Sequence, residues 1–122
     1  MPVRNDASFL GKCLDDIANQ SFENYELLVV DDGSSDGTPQ LLKKAKRRDP
    51  RVRIIQTSAN GIVSALNSGL SECRGEYIAR MDADDRMEKT RLEKQLRYMQ
   101  KNPELDLIGC RVEGVTDSGN FP

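Results

Sequence analysis

The sequence contains no histidine and no tryptophan, and only three cysteines, three tyrosines and three phenylalanines among its 122 residues. Without histidine, this chain has no Ser–His triad, no imidazole proton transfer and no His-ligated zinc. The cysteines, at 13, 73 and 110, are odd in number and form no Cys-x-x-Cys pair. They read as free thiols in a reducing compartment rather than as a disulfide framework. No apolar run approaches the ~20 residues of a membrane helix, and Met1-Pro2-Val3-Arg4-Asn5 lacks the apolar stretch of a signal peptide. A surplus of one charge is also missing. The 18 basic and 20 acidic residues leave a net charge of −2, which argues against a dedicated nucleic-acid binder. The chemistry left to the chain is that of carboxylates, backbone amides, Arg, Lys, Ser and Thr.

What is present is a regular alternation of strand-like and helix-like segments. Phe9, Leu10, Cys13, Leu14 and Ile17 recur at helical spacing, predicting a helix over Ala7–Ala18 with Asn5 or Asp6 as its cap. Glu26–Val30 is a short apolar run rich in branched residues, suited to a strand covered on both faces. After the turn-rich stretch Asp31–Gly37, Thr38 as cap and Pro39 at the first turn predict a second helix. That helix ends in the basic run Lys43–Arg48, which favours its C-terminal dipole. Val52–Ile55 predicts a strand, Gly61–Cys73 a helix, Glu76–Met81 a strand, the segment around Leu92, Leu96 and Met99 a helix, and Leu105–Cys110 a strand. Such alternation points to βαβ units, a mainly parallel sheet flanked by helices, and one domain. A right-handed start needs a strand before Ala7. Only Met1–Val3 is available, so the expectation is a chain that begins inside its first strand. Val112–Pro122 has no clear periodicity.

Ligands of open parallel sheets bind beyond the carboxyl ends of the strands. Two acidic groups fall at such ends: Asp31-Asp32, and Asp82-Ala83-Asp84-Asp85. Asp82 and Asp84 are two residues apart, and extended backbone would point both the same way, toward one ion or ligand. All-oxygen ligation suits Mg²⁺ or Mn²⁺. Taken alone, an Asp-x-Asp is more often a solvated turn, and Asp31–Thr38 more often a connection. Neither a P-loop nor a dinucleotide fingerprint is present. Asn60-Gly61 reads as a helix opening. Asn67, mid-helix among small residues, reads equally as a ligand contact or as a solvated position. Arg80 is placed to neutralise part of the second acidic group.

In order, Met1-Pro2-Val3-Arg4-Asn5 before a helix, Val29-Val30-Asp31-Asp32-Gly33-Ser34-Ser35-Asp36-Gly37-Thr38 after a strand, Ala59–Leu70, and Gly75–Asp85 resemble the N-terminal part of a glycosyltransferase family 2 domain of the GT-A fold. Arg91–Gln95 and Leu107–Cys110 also fit. The resemblance runs from Met1 to about Val112, and the ordered set is far more specific than any one of its parts. It implies a Rossmann-like α/β fold, and an inverting transfer of a sugar from a nucleoside diphosphate sugar, UDP-sugars favoured, to a hydroxyl of a saccharide or lipid-linked acceptor. It implies that Pro2 lines the nucleotide pocket and that Asp31 or Asp32 accepts a hydrogen bond from the base. Asn60, Gly61 and Asn67 would line the base and ribose side, and Asp82 would face the ribose. Asp84 would bind a Mn²⁺ or Mg²⁺ that bridges the diphosphate, with Asp85 in support. A cytoplasmic location, at the cytoplasmic face of a membrane through segments or partners outside this chain, is implied as well.

The chain departs from the family pattern in its missing acceptor-binding half, in its short first strand and in its catalytic base. Nothing from Met87 to Pro122 matches the family's downstream Glu-Asp motif that carries the catalytic base. Asp106 and Asp117 are candidates by charge alone. Residues 1–122 are therefore expected to be a single partial domain, the nucleotide-sugar-binding half, cut at both ends and inactive in isolation. The alternatives are a sugar-nucleotide nucleotidyltransferase, which normally carries a Gly-rich basic loop near its start, and a non-catalytic nucleotide-binding module.

Overall fold

The computed structural model describes residues 1–116 and 119–120. At its centre β2 (Leu27–Asp31) lies between β1 (Pro2–Val3) and β3 (Val52–Gln56), all three parallel, with Pro2 and Ile55 flanking Val30. All five residues of β2 are buried, as its unbroken apolar run requires of a strand covered on both faces. On one face, Leu27 and Val29 meet Leu10, Cys13 and Ile17 of α1 (Ala7–Ala18) and Leu42 of α2 (Thr38–Arg48). On the other lies α3 (Ile62–Glu72). Its Ala65 is buried, and Gly69 packs so closely that a Cβ there would stand 3.3 Å from a Val30 methyl. Next come α4 (Arg91–Lys101) and a two-stranded antiparallel ribbon, β4 (Val115–Thr116) with β5 (Gly119–Asn120).

The helix starts differ from expectation in who caps whom. Asp6 precedes α1, but its carboxylate accepts the Arg4 amide, and the Ala7 amide is capped instead by Asp36 at 3.1 Å. Thr38 is not the cap of α2 but its first residue. It is fully buried, with its hydroxyl accepting the Asp6 amide and its own amide donating to Asp36. Asn5, at φ 57°, accepts from the Ser35 amide and donates to the Ser34 hydroxyl. The loop after β2 is thereby laced to the chain entering α1.

Two expected strands are absent. Residues 76–81 and 105–110 form no ladder. In a parallel strand each residue points its N–H and C=O to one side, and sides alternate. Met1 and Val3 bond to β2 through Leu28, Val30 and Asp32. That leaves Pro2 on the far edge of β1, where it offers a carbonyl and no donor. Ile78 accordingly stays 57% exposed, while Met81 still reaches the core. Leu105–Cys110 pairs with no strand among the described residues, and Leu107 is exposed. None of the described helices is long and apolar enough to cross a membrane.

Candidate functional site

The carboxyl edge of the sheet is built around Asp31 and Asp32, both buried. Alternation along β2 sends them to opposite sides. Asp32 turns toward the β3–α3 loop, where its carboxylate accepts the Thr57 hydroxyl, the Asn60 amide at 2.9 Å and the Gly61 amide at 2.7 Å. The Thr57 hydroxyl foremost, with the two amides and the Arg4 charge, holds its carboxyl below the usual range. A negative charge just ahead of α3 also suits the helix dipole. Two residues in positive-φ conformations let the loops meet: Gly33 at 72° and Ala59 at 55°. A Cβ on Gly33 would stand 3.0 Å from the Ala59 nitrogen.

Asp31 is differently used. One carboxylate oxygen accepts the Ser34 amide at 3.0 Å, and the other has no hydrogen-bond partner among the described residues. It is a buried residue with an acceptor to spare, at the strand end where ligands of this architecture bind. Between Asp31 and Asp32, left open by the sequence, the structure thus makes a distinction: Asp32 is saturated and Asp31 is not.

The other expected residues are distributed as follows. Pro2 lies in β1 beside Val30. Asn60 and Gly61 touch Asp32 through their amides, and their outer sides are exposed or open, with nothing near a Cβ at Gly61. Asn67 is exposed on α3. Asp82 is half-buried and held by Arg80, whose Nη2 reaches both of its oxygens at 3.0 and 3.1 Å. Asp84 and Asp85 are exposed, and Ala83 between the acids is buried.

The second acidic group sits in a turn, with the Asp85 amide donating to the Asp82 carbonyl at 3.3 Å. Without an extended strand, the expected same-side alignment of Asp82 and Asp84 loses its basis. The five acids are not gathered into a ready cluster either: among the described residues no three acidic or thiol groups stand close enough to share a metal. The donor chemistry still fits a hard divalent cation that draws most of its ligands from water and phosphate. Asp84 in particular makes no hydrogen bond or ion pair through its carboxylate among the described residues. A hollow of about 430 Å³ lies elsewhere, between α4 and the 105–109 segment, lined by Tyr98, Leu105 and Ile108.

Two residues of this region, Thr57 and Asp16, carry no local motif. Asp36 lies inside the Val29–Thr38 motif, but its role in capping the Ala7 amide is not legible there. Asp16, on α1, accepts Arg86 and the Met87 amide, and the Arg86 guanidinium pulls its carboxyl below the usual range. Burial foremost, with the charges of Asp16, Asp85 and Asp84, pushes the Cys13 thiol up to about 12.

Comparison with known proteins completes the picture. Residues 1–122 match the family described as Glycosyl transferase family 2. An uncharacterized glycosyltransferase of Haemophilus influenzae is 35% identical over 93% of this chain and 35% of its own. Staphylococcus aureus TarS 1-349, in complex with UDP-GlcNAc, superposes with a TM-score of 0.78 at 27% identity, covering 84% of this chain and 30% of TarS. The mannosyltransferase PcManGT of Pyrobaculum calidifontis, in complex with GDP-Man and Mn²⁺, gives 0.75 at 27% identity, over 80% of this chain and 30% of that one. The chain spans about a third of the length of these proteins.

Proposed function

The chain belongs to glycosyl transferase family 2, and from that membership we propose that it is the donor-binding portion of an inverting, metal-assisted glycosyltransferase. The observation that carries this reading is the contrast between two adjacent buried aspartates. Asp32 spends both oxygens on Thr57, Asn60 and Gly61, whereas Asp31 keeps one oxygen free. A free, solvent-reachable acceptor oxygen on an otherwise buried residue at a strand end suits the imide N–H of uracil, and a UDP-sugar is the favoured donor. TarS bound to UDP-GlcNAc supports the uridine form, and PcManGT bound to GDP-Man shows that structural relatives also take guanosine.

In this reading Pro2 borders the nucleotide, the loop fixed by Asp32 presents Asn60 and Gly61 to the base and ribose, and Asn67 stands further along α3. Asp82, steadied by Arg80, faces the ribose. Asp84 is the carboxylate that would hold Mn²⁺ or Mg²⁺, and Asp85 adds negative charge beside it. The ion, when bound, supplies positive charge against the diphosphate leaving group. The acceptor is the hydroxyl of a saccharide or lipid-linked molecule. Asp106 stands exposed in an irregular segment, Asp117 lies outside the described residues, and neither is given the role of base. The relatives are glycosyltransferases, and no observation favours nucleotidyl transfer. The proposed setting is cytoplasmic.

Titration with UDP in the presence of Mn²⁺ tests the assignment of Asp31. Asp31→Asn keeps an acceptor for Ser34 but can turn its free position into a donor, so UDP affinity should fall while inorganic diphosphate binds as before. UDP affinity unchanged by Asp31→Asn contradicts the reading.

A further inference from the structure

The acidic turn of residues 82–85 has no sheet ladder to hold it, since residues 76–81 are irregular. What holds it is one stripe of α1 and the residues just beyond that helix. The Cys13 thiol donates to the Asp82 carbonyl at 3.6 Å. Past the turn, Asp16 accepts Arg86 through both oxygens and the Met87 amide at 3.1 Å. Beyond that, the buried Gln20 donates to the Glu88 carbonyl at 2.9 Å and accepts the Leu92 amide at 3.2 Å. Cys13, Asp16 and Gln20 stand at i, i+3 and i+7, along one side of the helix line. Buried Ala83 and Met87 close the same contact from the core.

Asp16 differs from the other two in what it does with charge. Arg86 follows Asp85 directly and is two residues from Asp84. Its guanidinium is turned away from both and forked onto Asp16, while Asp84 and Asp85 form no ion pair among the described residues. A fork of two parallel N–H···O bonds is a strong and directional arrangement. Released from it, the same guanidinium would be a built-in competitor for the carboxylates of the turn.

We propose that Asp16 is a positioning residue for the acidic turn: it pins the turn to α1 through the Met87 amide and holds the Arg86 guanidinium off Asp84 and Asp85. The proposal rests on the reading of Asp84 as the carboxylate that meets the divalent cation. Asp16 touches neither donor nor ion. It acts by fixing where the turn sits and by keeping its carboxylates available.

The test combines amide hydrogen exchange on the metal-free chain with UDP titration with and without Mn²⁺. Asp16→Ala should speed exchange over residues 85–88 about tenfold while leaving β2 unchanged. Asp16→Asn keeps an acceptor for Met87 and removes the charge, so it covers the case in which the alanine variant fails to fold. It should weaken Mn²⁺-assisted UDP binding about tenfold and leave metal-free UDP binding as it was. Adding Arg86→Ala to Asp16→Asn should recover most of that loss, an outcome that a merely structural role for the ion pair would not produce. A double variant no better than Asp16→Asn, or an Asp16→Asn indistinguishable from wild type, overturns the proposal. If wild-type UDP binding does not depend on Mn²⁺, the functional reading fails instead. The exchange experiment then decides the positioning role by itself, and unchanged protection over 85–88 overturns it.

Discussion

Asp32 and Gly61 face each other across the carboxyl edge of the sheet, the Gly61 amide donating to Asp32 Oδ2 at 2.7 Å. With the Asn60 amide and the Thr57 hydroxyl on the other oxygen, this contact fixes the start of α3 against the end of β2. Asp32 is therefore a brace rather than a free ligand group. Its depressed pKa sets the sign of a pH effect. A carboxylate lowered on folding adds stability above its unfolded value, about 3.9, and that stability is lost as pH falls through the folded value. Asp32→Asn should lower the urea midpoint at pH 7 and flatten the acid limb of the stability profile. A midpoint difference that does not shrink as pH falls contradicts this assignment.

Gly33 and Gly61 separate two costs of a side chain at positive φ. At Gly61 (φ 87°) a Cβ meets nothing within 4 Å, so Gly61→Ala should cost backbone strain alone, about 1–3 kcal/mol. At Gly33 (φ 72°) the same change also drives a Cβ to 3.0 Å from the Ala59 nitrogen, and the two loops must part. Thermal unfolding should rank Gly33→Ala below Gly61→Ala, with the larger loss of UDP binding at Gly33.

Leu42, on the buried side of α2, is 1% exposed. Leu42→Ala should destabilise by about 2–5 kcal/mol, read by denaturant melts. Leu107, at 86% exposure, should tolerate alanine with a change within about 0.5 kcal/mol.

Thiol chemistry should divide the cysteines. Burial pushes Cys13 up to about 12, so almost no thiolate exists at pH 8. Cys110 is exposed. Iodoacetamide at pH 8 should label Cys110 in the native chain and reach Cys13 only on unfolding. Native labelling of Cys13 at the rate of Cys110 would contradict its placement under Asp82.

Features set by neighbours in sequence were readable from it. The branched run before Asp31 made β2, the 3–4 spacing of Leu10, Cys13 and Ile17 made α1, and Pro39 marked the start of α2. The ordered motifs identified the family. Features set by distant partners were not readable. Residues 76–81 look like a strand, but a strand exists only where an edge can bond it, and the two-residue β1 offers only the Pro2 carbonyl on its far side. Which of Asp31 and Asp32 keeps a free oxygen depends on amides 28 and 29 residues further on. Asp16 has no motif at all, because its partners lie 70 residues away.

The most direct test of the account compares UDP affinity, with and without Mn²⁺, in the wild-type chain and in Asp84→Ala. The Asp84 carboxylate is exposed and has no partner among the described residues, so its removal should leave the unfolding midpoint within error. Wild type should bind UDP more tightly with Mn²⁺, about tenfold or more, and Asp84→Ala should bind it equally weakly with or without the ion. UDP binding in the wild type that is indifferent to Mn²⁺, or an Mn²⁺ enhancement that survives Asp84→Ala, contradicts the account.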